Sequence, residues 1–397
     1  MPALDDCDPP AELGGGYGGL LTTGARAQDE HVVVIHTVIL AGFGYQSLTS
    51  NGYGYLVRFT PAAFGGRPDG DRMGRSARYR DGRFHNTVPA TTLTPGTAPG
   101  AMRELIFGKQ RRRPSGPVPL VTPGAAPADG LHVTWYGHAS TLIEIDGRRV
   151  LFDPVWSKRC SPFQFAGPRR LHPPPIPLDQ LPALDAIVIS HDHYDHLDMP
   201  TVRSLVRTQE APFLVPLGVG AHLDRWRVPK DRIVELDWDD GVEVSGLRFT
   251  ATAARHFSGR AFARDRTLWG SWVVSGGDRS VFYTGDSGYF DGYAAIGEAH
   301  GPFDISLIQI GAYSPAWPDI HMTPEDAVKA HVDLRGGLLL PVHWATFNLS
   351  FHAWSEPADR LWREAKAYDV SVTIPRPGER VDVSDPPTVD GWWQPLS

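Results

Sequence analysis

Apolar and polar residues follow no sustained period over the first third of the chain, and a clear one after it. From residue 132 onward, short apolar runs recur between turn signals and predict strands at 132–136, 141–145 and 149–152. The Asp146-Gly147 turn between the second and third makes them an antiparallel meander. An apolar run at 186–190 predicts a buried strand. Further strands are expected at 213–215, 232–236, 247–253, 269–274, 281–283, 305–310 and 338–342. Helical spacing is expected at 199–207, 219–226, 289–298, 324–332 and 357–368. Strand runs with intervening helices predict an α/β fold of two sheets packed face to face with helices outside. No repeat of 20 to 50 residues suggests a solenoid or a propeller.

Residues 1–130 read as an irregular, partly disordered arm, 131–385 as one domain and 386–397 as a tail. The arm carries a glycine-rich stretch at 14–19, a Pro/Gly/Thr-rich stretch at 89–100 and a basic run, Lys109-Gln110-Arg111-Arg112-Arg113. Its apolar stretch at 32–43 is interrupted by His36 and Thr37 and is shorter than the ~20 residues a membrane helix needs. A docked strand or hairpin is the expectation there, with a membrane-surface anchor as the alternative. For Arg111–Arg113 the alternatives are a solvated linker and contact with anionic headgroups. No signal-peptide order begins the chain, and a cytoplasmic location, peripheral to the membrane if that anchor is used, is the expectation.

Composition changes this picture little. With 41% hydrophobic residues, 21% charged and a net charge of −7, nucleic acid is not an expected partner. Cys7 and Cys160 lie far apart and form neither a disulfide framework nor a thiolate site. Oligomeric state is not legible.

The chemistry concentrates after the strand at 186–190, in His191-Asp192-His193-Tyr194-Asp195-His196. A loop at a strand's carboxyl end lets alternate side chains converge, so that His191 and His193 face one ion while Asp195 and His196 face another. Asp192 then points away. Nitrogen and carboxylate donors without thiolate suit zinc, with iron or manganese as alternatives. Three later strands each deliver one more donor at their carboxyl ends: His256, Asp286 after Gly285, and His343. His138, in Gly137-His138-Ala139-Ser140, could reach the site or be a packed, hydrogen-bonded histidine.

Together with Asp153 in Leu151-Phe152-Asp153-Pro154, these residues resemble, in order, the five motifs of the metallo-β-lactamase superfamily. The resemblance implies that family's αββα sandwich, two mixed sheets flanked by helices. It implies that His191, His193 and His256 hold one metal, that Asp195, His196 and His343 hold a second, and that Asp286 bridges them. Asp153 would orient a ligand imidazole. A water or hydroxide between the two ions would be the nucleophile.

Longer stretches are similar to the N-acylphosphatidylethanolamine-hydrolysing phospholipase D branch. Among them are Gly137-His138-Ala139-Ser140-Thr141, Asp153-Pro154-Val155-Trp156-Ser157, Gly167-Pro168-Arg169-Arg170, Leu268-Trp269-Gly270-Ser271-Trp272, Ile310-Gly311-Ala312-Tyr313 and His343-Trp344-Ala345-Thr346-Phe347. That resemblance implies a two-zinc phosphodiesterase acting on a phospholipid headgroup, with His321 orienting substrate before a helix capped by Thr323. Tyr313 and Trp317 are expected at the substrate, and core packing is the expectation for Trp269, Trp272, Trp344, Phe347 and Trp354. The alternatives are a hydrolase of a small soluble ester, lactone or phosphodiester, and a non-catalytic metal-binding protein.

Overall fold

The computed structural model describes residues 62–124, 128–260 and 263–397. Cys7 and the stretches at 14–19 and 32–43 lie outside the described residues. Thirteen strands build two sheets. They are β1 Leu131–Gly137, β2 Ser140–Ile145, β3 Arg148–Phe152, β4 Ala186–Val188, β5 Phe213–Pro216, β6 Ile233–Leu236, β7 Gly241–Val244, β8 Leu247–Thr252, β9 Ser271–Gly276, β10 Arg279–Tyr283, β11 Phe303–Gln309, β12 Gly336–Val342 and β13 Arg380–Asp382. The first sheet runs β13-β1-β2-β3-β4-β5-β6 and the second β12-β11-β10-β9-β8-β7. In each, an antiparallel half passes into a parallel one: β3 to β6 are parallel in the first, β10 to β12 in the second.

The period of two in the sequence has its physical counterpart here. Ile143, Val150, Phe152, Ala186 and Val188 enter one core together with Phe249, Ala251, Val274 and Phe282 of the opposing sheet. Their neighbours Leu142, Leu151, Ile187 and Ile189 turn to the other face. There they meet Val202 and Leu205 of α1 (Met199–Thr208) and Leu223 of α2 (Gly220–Arg225). Against the second sheet pack α3 (Gly292–His300), α4 (Pro324–Asp333) and α5 (Glu356–Ala367), through Ile296, Ala327, Val328, Leu361 and Ala365. The result is the expected αββα sandwich.

Local signals place the helices. Asp198 caps α1 by accepting from the Thr201 amide. Thr323 and Asp326 form a reciprocal capping box at α4, with Pro324 in its first turn, as the sequence suggests. Strands β7 and β13 are additions to the expected set. β7 is an edge strand that buries neither face fully, and β13 is three residues long with one apolar side chain. Neither carries a periodic signal strong enough to read.

Packing corrects both ends of the domain as drawn from sequence. Residues 62–124 dock against the sandwich: Met73 and Phe84 are buried with Trp238, Leu268 and Trp269. The basic run is docked too, since the Arg111 carbonyl accepts from the Trp354 amide at 3.0 Å and Arg112 donates to the Glu104 carbonyl at 2.9 Å. Residues 386–397 are not a tail in packing terms. Trp392 and Trp393 belong to the main core, and Trp393 Nε1 donates to Asp359 at 2.8 Å. Among the described residues, no helix is long and apolar enough to cross a membrane.

Truncating a fully buried indole loses its transfer free energy and leaves a cavity. Trp393→Ala should therefore cost about 3–5 kcal/mol in urea unfolding. A cost below about 1 kcal/mol would make 386–397 dispensable to the core.

Candidate metal centre

The parallel halves of both sheets end on one edge, where loops leaving strand ends can converge. Asp153 follows β3, the His191–His196 block follows β4, His256 follows β8, Asp286 follows β10 and His343 follows β12. His321 precedes α4, and His138 occupies the β1–β2 turn.

These residues form overlapping groups of donors. His191, His193, His256 and Asp286 make one, His138, Asp195, His196 and His343 a second, and Asp286, His321 and His343 a third; within each, the donor atoms lie within 4.8 Å of one another. In the first group His193 Nδ1 is 2.8 Å from His191 Nε2 and 3.3 Å from His256 Nε2. Both of those nitrogens are 3.8 Å from Asp286 Oδ2. In the second, His343 Nε2 lies 3.1 Å from Asp195 Oδ2 and 3.2 Å from Asp286 Oδ2, and His196 Nε2 lies 3.1 Å from Asp286 Oδ2.

The far side of each ring decides what the near side offers. His196 Nδ1 donates to Asp153 Oδ2 at 2.7 Å, and His256 Nδ1 donates to the Ile320 carbonyl at 2.9 Å. His191 Nδ1 lies 2.9 Å from Ser190 Oγ, which itself donates to Asp153 Oδ2 at 2.6 Å. With those protons placed outward, the inward nitrogens are the ones left to meet a cation. Asp286 Oδ1 is buried without a hydrogen-bond partner among the described residues. A buried carboxylate oxygen without a donor is costly unless a cation meets it.

The electrostatics agree. Burial would raise Asp286, but His196, His343 and His321 hold it well below the usual carboxylate range. His191 is pushed well below the usual imidazole value by burial and by its histidine neighbours. Burial alone would also lower His196, yet Asp286, Asp195 and Asp153 draw a proton onto it and raise it well above the ordinary value. A proton on His196 does part of the neutralising work that a bound cation does in such a donor set. The residues present therefore fit a divalent metal of the nitrogen- and oxygen-liking class.

Backbone strain serves the same end. Gly137 has φ +105°, and a Cβ there would lie 2.7 Å from His172 and 2.8 Å from Thr346 Oγ1, so only glycine permits the close approach. The strand bulges between Trp135 and Gly137, and His138 follows with φ +55°. Its amide donates to Thr346 Oγ1 at 2.6 Å, and its carbonyl accepts from the His343 amide at 2.9 Å. His343, at φ +64°, is thus tied to His138. Gly285, φ +57°, lies so close to Ser190 that a Cβ would come within 2.5 Å of that side chain.

All seven donors expected from sequence are brought together, and Asp153 lies behind them on His196. His138 resolves from two alternatives to one: its Nε2 is 2.9 Å from Asp195 Oδ2, which places it in the site. His321 Nδ1 is buried without a partner among the described residues and lies 4.0 Å from Asp286 Oδ2. Asp192 does turn away, accepting from the Gly259 amide at 2.7 Å and pairing with His222 at 3.2 Å. Tyr313 corrects the expectation of a substrate contact: its hydroxyl donates to Glu356 at 2.8 Å and Arg360 covers its ring. Trp317 donates to the Ala312 carbonyl at 2.7 Å and packs with Ala316, Ile320, Phe257 and Phe351 in an apolar cluster. Phe257, not anticipated from sequence, stands edge-on to His193 with ring centroids 4.5 Å apart, so this cluster borders the donors. Trp269, Trp272, Trp344, Phe347 and Trp354 are all buried, as expected of core residues.

Comparison with known proteins bears on the whole arrangement. The model of the beta-lactamase superfamily domain matches residues 148–344, a span from Asp153 through His343. An uncharacterised protein of Mycobacterium tuberculosis is 51% identical over 84% of this chain and 92% of its own length. The N-acyl-phosphatidylethanolamine-hydrolyzing phospholipase D 1 of Caenorhabditis elegans is 37% identical over 58% of this chain and 69% of its own. Among solved structures, an isothiocyanate hydrolase from Delia radicum gut bacteria superposes with a TM-score of 0.51 at 20% identity, covering 63% of this chain and 98% of that one, a likeness of fold. The chain belongs to the metallo-β-lactamase superfamily of metal-dependent hydrolases, in the branch that holds the N-acylphosphatidylethanolamine-hydrolysing phospholipases D.

Proposed function

We propose that the protein is a two-zinc phosphodiesterase that hydrolyses N-acylphosphatidylethanolamine or a related phospholipid, releasing phosphatidic acid and an N-acylethanolamine. The observation that carries this reading is that one carboxylate oxygen, Asp286 Oδ2, faces both sets of donors, 3.8 Å from His191 and His256 and 3.1 and 3.2 Å from His196 and His343. His191, His193 and His256 would hold one ion, Asp195, His196 and His343 the other, and Asp286 both. When bound, two such ions supply a water of lowered pKa and Lewis-acid stabilisation of charge on a phosphoryl group. Iron or manganese would fit the same donors.

The chain's own residues orient and exclude. His321 is held by burial at about 4, below the usual imidazole value, so above that pH it is neutral, with one ring nitrogen to donate and one to accept. Its unpartnered Nδ1 suits a headgroup or phosphoryl oxygen. His138 holds Asp195 from behind. The apolar cluster of Phe257, Ile320, Trp317 and Phe351 borders the donors, where an acyl chain or its glycerol ester would exclude water. Similarity to the Caenorhabditis elegans phospholipase supports the choice of a phosphodiester over other substrates of this fold. A bilayer holding the substrate would be met peripherally.

The test is metal analysis of the purified protein together with mass spectrometry of products from mixed phospholipids. Phosphatidic acid and N-acylethanolamine are expected. Turnover of soluble bis(p-nitrophenyl) phosphate with none on lipid dispersions would shift the assignment to a small soluble substrate. Asp286→Asn should abolish turnover and lower metal content while the circular dichroism stays native; wild-type activity would refute the bridging role. His321→Ala should leave bound metal unchanged and lower kcat by roughly 100- to 1000-fold, the range for loss of one oriented hydrogen-bonding group. Loss of metal in that variant would instead make His321 a ligand.

A further inference from the structure

The arm enters the candidate centre at two points that neither the sheet ladders nor the donor set requires. Beyond Thr252 the β8 ladder has ended, and past an isolated bridge between Arg255 and Gly288, His256 pairs with no strand among the described residues. Asn86 takes the place of one. Its Nδ2 donates to the His256 carbonyl at 2.7 Å, and its Oδ1 accepts from the His256 amide at 3.1 Å. The same Oδ1 accepts from Trp269 Nε1 at 3.0 Å. One side-chain amide thus satisfies both backbone groups of a donor residue whose ring is fixed separately through Ile320. Phe84, two residues earlier, is buried in the cluster with Met73 and Trp269, which anchors Asn86.

The second point lies under the His191–His196 loop. Arg260 is buried, and its Nη1 donates to the carbonyls of Asp192 at 2.7 Å and Leu197 at 2.8 Å. Its Nη2 and Nε donate to the Ala63 carbonyl at 2.8 and 3.2 Å. Trp226 Nε1 holds the adjacent Ala62 carbonyl at 2.7 Å. The Arg260 guanidinium thereby spans the arm and both ends of the loop.

We propose that two residues of the arm, Ala63 and Asn86, are working parts of the metal centre. Asn86 is a positioning residue for His256, and Ala63 closes the clamp through which Arg260 holds the loop of three histidines. This rests on the metal-binding reading above. A generic packing role for the arm predicts lost stability alone, whereas a positioning role predicts an altered site in folded protein.

The experiment is titration of the metal-stripped full-length chain with zinc, and with cobalt(II) followed by its visible absorption. Wild type should take up two equivalents. Asn86→Ala should bind one equivalent about 10- to 100-fold more weakly, the usual cost of losing a group that orients a ligand, with an altered cobalt spectrum. His85→Ala, whose Nε2 lies 3.2 Å from the Arg80 carbonyl, should titrate like wild type. Should Asn86→Ala fail to fold, Asn86→Asp keeps both acceptor contacts, loses the donation to the His256 carbonyl, and should still weaken binding. Wild-type affinity and spectrum in the folded Asn86 variants would overturn the proposal and leave the metal reading intact. No uptake by wild type would instead remove the metal reading itself.

Discussion

The buried carboxylate of Asp153 is the contact on which the rest of the site depends. It accepts four hydrogen bonds: from the Ser190 amide at 2.7 Å, Ser190 Oγ at 2.6 Å, His196 Nδ1 at 2.7 Å and Tyr283 Oη at 2.6 Å. Ser190 and His196 leave the first sheet, whereas Tyr283 belongs to the second. A carboxylate this deeply buried must be fully satisfied, so these donors cannot drift apart without a large cost. Sheet register, the entry of the histidine block and the proton position on His196 are set by one group. That Asp153 adopts φ +38° fits a residue whose surroundings over-determine it.

Much of this was legible in the chain. Periodicity at 141–152 and 186–190 placed the strands because each sheet has two apolar faces that must be filled, one by the opposing sheet and one by helices. The donor block was legible because six adjacent residues carry five metal-liking side chains at the end of an apolar run. His138 was harder to place. A lone histidine in a turn looks the same whether it packs or points inward, and the bulge at Gly137 that aims it has no strong sequence signal.

What stayed hidden is non-local. Asn86 and Ala63 lie in stretches with no period, and their partners are 170 and 197 residues away. Trp392 and Trp393 follow a run rich in proline and acid that reads as exposed, yet their indoles fill a core whose other walls are Trp344 and Trp362. A hydrogen bond from a side-chain amide to a distant backbone leaves no pattern in composition or spacing. Tyr313 failed in the opposite direction, because a motif can mark a residue that supports the site's scaffold through Glu356 and Arg360 rather than one that meets a ligand.

The dispersal of the donors along the chain has a consequence for biosynthesis. His138 and His343 share Asp195 Oδ2, with contacts of 2.9 and 3.1 Å, although some two hundred residues separate them. A chain emerging from the ribosome at ~5–20 residues per second therefore carries the histidine block for many seconds before its last partner exists. During that interval the block lacks the donors that complete either group, and the entropy of closing the loops between them is not yet offset. The complete donor set therefore exists only once both sheets have closed.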